Sequence, residues 1–252
     1  MAYCMIQGKR MFYEELGDGR PLLLLPGDGV CSRVFEPVRD LYQKGRKLIL
    51  VDYLDTGRSD RREELPQNPW QQAAQEVIAL LEERQYGPVE LLGAGGGALV
   101  ALEVALRRPD LVKKVIADGF AGEVPPEELV SALERRRQQQ KNDPQEVSLL
   151  SFCHGEDWQQ VLDRSTQAIL GQVRSGQPVF SQPLERLNRP LLLAGSRQDQ
   201  RLPAGALEER FRELSQRIPG CRVHLFDEGD HPSCLSNEVE FAAVAQQFLD
   251  KE

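Results

Sequence analysis

Six short, largely apolar runs recur along this chain, with helical patterns between them. They are Leu22 to Leu25, Leu48 to Val51, Val89 to Leu92, Val115 to Ala117, Leu191 to Ala194 and Val223 to Phe226. A strand exposed on one face alternates apolar and polar residues, whereas continuous runs suit strands buried on both faces. Trp70, Ala74, Val77, Ile78 and Leu81 share one helical stripe, and Asn68-Pro69 marks its start. Leu99, Leu102, Ala105 and Leu106 line a second helix that ends near Arg108-Pro109, and a last helix spans residues 237–249. Strands alternating with helices predict an α/β fold with a doubly wound, mostly parallel sheet. Two alternating segments near 2–7 and 11–16 precede it and predict an antiparallel hairpin around Gly8-Lys9.

One interval breaks the rhythm. Residues 122–188 carry helical patterns without a strand, punctuated by Pro125-Pro126, Asp143-Pro144 and Pro178. The expectation is a core built from 1–121 and 189–252, with 122–188 as a helical cap insertion. Such an insertion would lie over the carboxyl ends of the strands, where ligands bind in open α/β sheets.

Composition narrows the partners. The formal net charge of −8 disfavours nucleic acid and anionic membrane. Arg135-Arg136-Arg137, beside Gln138 to Gln140, reads as a solvated helix face. The first ten residues lack the apolar core of a signal peptide, and no run reaches the length of a membrane span. Five cysteines at irregular spacing suit a reduced, cytoplasmic setting. Without a C-x-x-C pair, and with three scattered histidines, neither zinc nor any other cofactor is expected. Residues 93–97 lack the Gly-Lys-Ser/Thr ending of a phosphate loop and the G-x-G-x-x-G spacing. A small-molecule ligand under the cap is the expected partner, and nothing in the sequence addresses oligomeric state.

Five local signals then line up. Pro21 to Gly29 is a strand running into Pro26-Gly27-Asp28-Gly29. Val51 to Asp60 reads V-D-Y-L-D-T-G-R-S-D. Gly93-Ala94-Gly95-Gly96-Gly97 joins an apolar strand to a helix. Gly195-Ser196-Arg197-Gln198-Asp199 ends another strand, and Gly229-Asp230-His231-Pro232 follows the last one. In this order and spacing the chain resembles the α/β-hydrolases, in the esterase- and lipase-like branch with a helical cap. In that family the first segment is the strand and oxyanion loop, and 93–97 is the position of the G-x-S-x-G nucleophile elbow.

The resemblance implies roles. Position 95 would carry the nucleophile, yet Gly95 has no side chain with which to attack a carbonyl. His231 would be the general base, with Asp199 as the acid that orients it, assuming one inserted residue. Asp118, at the end of the strand before, is the rival to Asp199. The backbone N–H groups of Asp28 and Gly96 would form the oxyanion hole. The Asp28 side chain is expected to face away or to cap the following helix. Cys31 and His154 are secondary candidates, Cys31 as a surrogate nucleophile and His154 as a pocket or packing residue. Cys234 reads as an incidental thiol and His224 as structural.

Losing the nucleophile of a serine protease costs roughly a millionfold in turnover, which is about 8 kcal/mol of barrier. Three functions follow. The chain is a catalytically lapsed binder of a small molecule or partner. Or it is a non-covalent hydrolase or lyase with His231 as base. Or it is a carboxylic-ester hydrolase disabled by replacement of a serine at position 95.

Overall fold

The six runs, and the two segments before them, form one eight-stranded sheet. Its strands are β1 (Ala2–Ile6), β2 (Lys9–Leu16), β3 (Arg20–Leu25), β4 (Arg46–Asp52), β5 (Val89–Ala94), β6 (Val112–Asp118), β7 (Leu191–Ser196) and β8 (Cys221–Phe226). They lie in the order β1-β2-β4-β3-β5-β6-β7-β8. Pairings involving β2 are antiparallel, and all pairings from β4 through β8 are parallel. The hairpin turns at Gln7-Gly8, both at positive φ, which matches the twist of the flanking strands. The computed structural model describes residues 2–120, 122–123 and 127–251. The expected domain junction at residue 121 and the Pro125-Pro126 pair lie outside them.

Burial explains the unbroken apolar runs. In β3, Leu23 and Leu25 enter the hydrophobic cluster on one face of the sheet, while Leu22 and Leu24 enter the cluster on the other. All four are fully buried. The run Val223 to Phe226 departs from this expectation. β8 is the edge of the sheet, and Val223 is 40% exposed. An edge strand has a neighbouring strand on one side only, so the side chains beside its open edge reach solvent.

Helix α1 (Pro69–Arg84) starts where Asn68 accepts a hydrogen bond from the Gln71 N–H, with Pro69 in the first turn. Helix α2 (Gly96–Arg107) is buried on almost every side, beyond the single stripe expected, because it is packed between the sheet and α1. Between β6 and β7 the chain carries α3 (Glu127–Asn142), α4 (Pro144–His154) and α5 (Trp158–Ser175). Helices α6 (Ala206–Arg217), α7 (Ser233–Ser236) and α8 (Glu238–Asp250) complete the chain. Among the described residues, no helix is long and apolar enough to cross a membrane.

Candidate active site

The turn from β5 into α2 is threaded through a space that admits only backbone. A Cβ at Gly93 would overlap the Gly97 carbonyl, and one at Gly97 would overlap the Leu25 carbonyl. At its apex Gly95 has φ +57° and ψ −117°, a left-handed conformation that glycine adopts without strain. The Gly95 N–H donates to the Asp118 carbonyl at 2.8 Å, which ties the apex to the neighbouring strand.

Over this apex lies His231. Its Nδ1 is 2.8 Å from Asp199 Oδ2, and both side chains are 5% exposed. Asp199 sits in the turn after β7, where its second oxygen accepts the Arg201 N–H at 2.9 Å. The imidazole is wedged between two glycine backbones. A Cβ on Gly95 would lie 2.7 Å from His231 Nε2, and a Cβ on Gly119 would overlap the ring. The ring therefore reaches into space that a side chain at 95 would need. Burial, reinforced by the nearby Arg201 charge, pushes the His231 pKa down to about 4, against the pull of Asp199. Burial raises the Asp199 carboxyl, but the contact with His231 and the Arg201 backbone N–H and charge together outweigh it and hold that carboxyl below its ordinary value. At neutral pH the pair is a neutral imidazole against a carboxylate. With Asp199 accepting from Nδ1–H, the lone pair is on Nε2, above Gly95.

Asp28 corrects the expectation that its side chain faces away. The carboxyl turns inward and lies against Gly96, so closely that a Cβ there would overlap it. The Trp70 indole N–H donates to its Oδ1 at 3.0 Å, which fixes that orientation from α1. Burial pushes this carboxyl above its ordinary value, although Arg137, Trp70 and Arg201 pull it the other way. The Asp28 carboxyl thus fills the space on the side of Gly96 where a side chain would stand.

The basic run is the second correction. Arg137 is only 7% exposed, not on a solvated face. Its Nη2 donates to the Asp28 carbonyl at 3.0 Å and its Nη1 to Gln140 Oε1 at 2.8 Å. A polar helix face turns inward here because α3 packs over the sheet end. Arg136, Arg137 and Arg201 line one cavity of about 530 Å³ together with Asp28, Gly95 and His231. The chain signal for Arg201 is its place two residues after Asp199 in the same turn. For Trp70 and Arg137 no local signal existed, because long-range packing brings them in.

The remaining candidates lie elsewhere. Asp118 accepts from the Ser233 hydroxyl and, at 2.7 Å, from the Cys234 N–H, so it holds the start of α7 and not His231. Asp230 accepts the His231 and Gln200 N–H groups and shapes the turn. Cys31 is fully buried and points its thiol at the Cys153 carbonyl, 3.5 Å away. Its contact with Cys153, together with burial, pushes the thiol up, away from reactivity. Burial does the same to Cys234, which is beside Asp118. His154 is a pin between α4 and the core: its Nδ1 accepts the Gly57 N–H at 2.9 Å, and its Nε2 meets the Gly29 carbonyl at 3.0 Å. His224, on the edge strand, packs edge-on against Phe226. Among the described residues, no group of His, Cys, Asp or Glu is arranged to hold a metal ion.

Known proteins share this architecture. A mouse protein, serine hydrolase BPHL, is 26% identical over 260 residues, covering 97% of this chain and 84% of that protein. An esterase from Exiguobacterium antarcticum superposes with a TM-score of 0.78 at 19% identity, covering 99% of each chain. A meta-cleavage product hydrolase from Pseudomonas fluorescens superposes at 0.75 with 18% identity, covering 99% of this chain and 97% of that one. The model of the alpha/beta hydrolase family matches residues 22–245. That span runs from the core of β3 into α8 and takes in every element of the site, and this chain belongs to the alpha/beta hydrolase family.

Proposed function

We propose that this protein is a member of its family in which covalent acyl transfer has lapsed, and in which the cavity over Gly95 and Gly96 binds a small molecule beneath α3–α5 acting as a cap. The observation that carries the reading is double occupancy of the reacting positions. His231 Nε2 lies 2.7 Å from where a Cβ of residue 95 would stand, and the Asp28 carboxyl lies against Gly96. A serine hydrolase needs a nucleophile at the first place and hydrogen-bond donors for a developing oxyanion at the second. This chain offers glycine and an acidic group instead.

A second reading is favoured by the Asp199–His231 contact of 2.8 Å. A neutral, oriented imidazole above a cavity is suited to taking a proton from water or substrate without a covalent intermediate.

Initial rates of p-nitrophenyl butyrate hydrolysis separate these readings, measured on the native protein, Gly95→Ser and His231→Ala. The binding reading expects native turnover no faster than that of His231→Ala. It also expects little gain in Gly95→Ser, because Asp28 still faces the oxyanion position. Native turnover that His231→Ala abolishes would replace it with the general-base reading. Strong turnover in Gly95→Ser alone would mean that position 95 is the sole difference from a working esterase.

A further inference from the structure

Arg201 lines the cavity beside Arg136 and Arg137, but unlike theirs its guanidinium makes no hydrogen bond or ion pair with the described residues, and its Nε is enclosed with no hydrogen-bond partner among them. Taking a cation out of water without a partner is costly. The nearby acids do not serve it. Asp199 gives Oδ2 to His231 and Oδ1 to the Arg201 backbone N–H. Asp28 Oδ1 takes the Trp70 indole. Glu146 accepts from Gln140 and lies 3.6 Å from Arg136. Asp230 accepts two backbone N–H groups of its own turn region. Arg137, which lines the same cavity from α3, also has an enclosed Nε with no hydrogen-bond partner among the described residues.

The location of the unused donors is as informative as their number. Arg201 Nη1 would be 3.6 Å from a Cβ on Gly95, and His231 Nε2 would be 2.7 Å from the same point. An oxygen-bearing group over Gly95 would therefore meet Arg201 and have its adjacent carbon near the imidazole. Leu99, Leu133, Ile169 and Leu202 line the same cavity and offer an apolar wall to the rest of such a molecule.

We infer that the cavity takes an organic monocarboxylate, with the carboxylate on the Arg201 guanidinium over Gly95 and the apolar remainder against α2, α3 and α5. This rests on the reading of the cavity as a ligand site and adds the chemical class of the ligand. A guanidinium presents a planar fork of donors that matches the two oxygens of a carboxylate. A dianion such as phosphate is disfavoured, because Asp28, Asp199 and Asp230 line the same cavity. The overall charge of −8 points the same way: the site selects its anion by local donors and not by long-range attraction.

The test is calorimetric titration with phenylacetate and its neutral near-isostere phenylacetamide, on the native protein and on Arg201→Gln. The native protein is expected to bind phenylacetate about tenfold to a hundredfold tighter than the amide, the range of a charge-assisted pair. Arg201→Gln is expected to lose that preference with an unfolding midpoint no lower than the native one, and Arg201→Lys to recover part of it. Equal binding of acid and amide by the native protein would overturn the carboxylate assignment and leave the ligand-site reading standing. A preference that survives Arg201→Gln would overturn the role of Arg201. Binding of neither compound at millimolar concentrations overturns the inference as well. Native ester turnover that His231→Ala abolishes would instead strike at the binding reading beneath it.

Discussion

The turn after β4 and the turn after β7 each place an arginine near a buried aspartate, with opposite results. In the first, Asp52 accepts from Arg58 Nε at 2.8 Å, the Arg58 N–H at 2.9 Å, the Ser32 hydroxyl at 2.6 Å and the Ser32 N–H at 3.0 Å. Arg58 is also stacked on Phe12, with 3.6 Å to the ring centroid. In the second, Asp199 spends its oxygens on His231 and a backbone N–H, and the Arg201 guanidinium is left facing the cavity. Buried charge that is fully paired holds a loop in shape. Buried charge left with open donors is a place for something else to bind.

The largest expected effect tests the paired side. Asp52→Ala leaves Arg58 and Ser32 without their acceptor and should cost about 3–5 kcal/mol, measured by urea unfolding. A loss under about 1 kcal/mol would mean that the network is ornamental and would erase the contrast.

The next effect tests the open side through pH. The His231 pKa is about 4 in the folded protein against 6.5 for an ordinary histidine. Between these values the unfolded chain binds the proton and the folded chain resists it, so stability falls as pH falls through that window. It is retained in full above about 6.5. The native protein should lose about 3 kcal/mol more than His231→Gln between those limits. Parallel curves for the two proteins would show that His231 is not desolvated as described.

His154 belongs with the paired group, because both ring nitrogens are used in joining α4 to the Gly29 and Gly57 loops. His154→Ala should cost about 1–3 kcal/mol in thermal or urea unfolding. Native-like stability would place the α4 junction among the weak contacts. The smallest effect has the opposite sign. Arg201→Met removes a partly buried cation that has no hydrogen-bond partner among the described residues and should raise stability by about 1 kcal/mol, an outcome known for buried charges replaced by apolar groups. A loss of similar size would reveal a protein partner for Arg201 in solution and would weaken the ligand inference.

Much of the architecture was legible from local pattern. Strands such as β3 are apolar on both faces because both faces are covered, and Asn68-Pro69 and Arg108-Pro109 bracket helices by chemistry confined to a few residues. The edge strand β8 was less legible, since an apolar run does not reveal how many neighbours it has. The candidate site divides the same way. Gly95, Asp199 and His231 stand in turns directly after strands, and their order along the chain already brings them to one end of the sheet. Asp28, Arg137 and Trp70 come from three separate elements, and their side-chain directions depend on contacts 42 to 109 residues apart in sequence.

The sequence by itself determined the alternation of strands and helices, the glycine at the apex of the β5–α2 turn and the set of chemical groups available near it, because backbone conformation and strand burial are written in short-range pattern. Only the tertiary structure decided that Asp199 and not Asp118 meets His231, that Asp28 turns inward and that Arg137 is buried while the Arg201 guanidinium has no hydrogen-bond partner among the described residues. Those outcomes turn on which donor reaches which acceptor first across the fold. A side chain's partner is chosen by three-dimensional competition among groups that the linear chain keeps far apart.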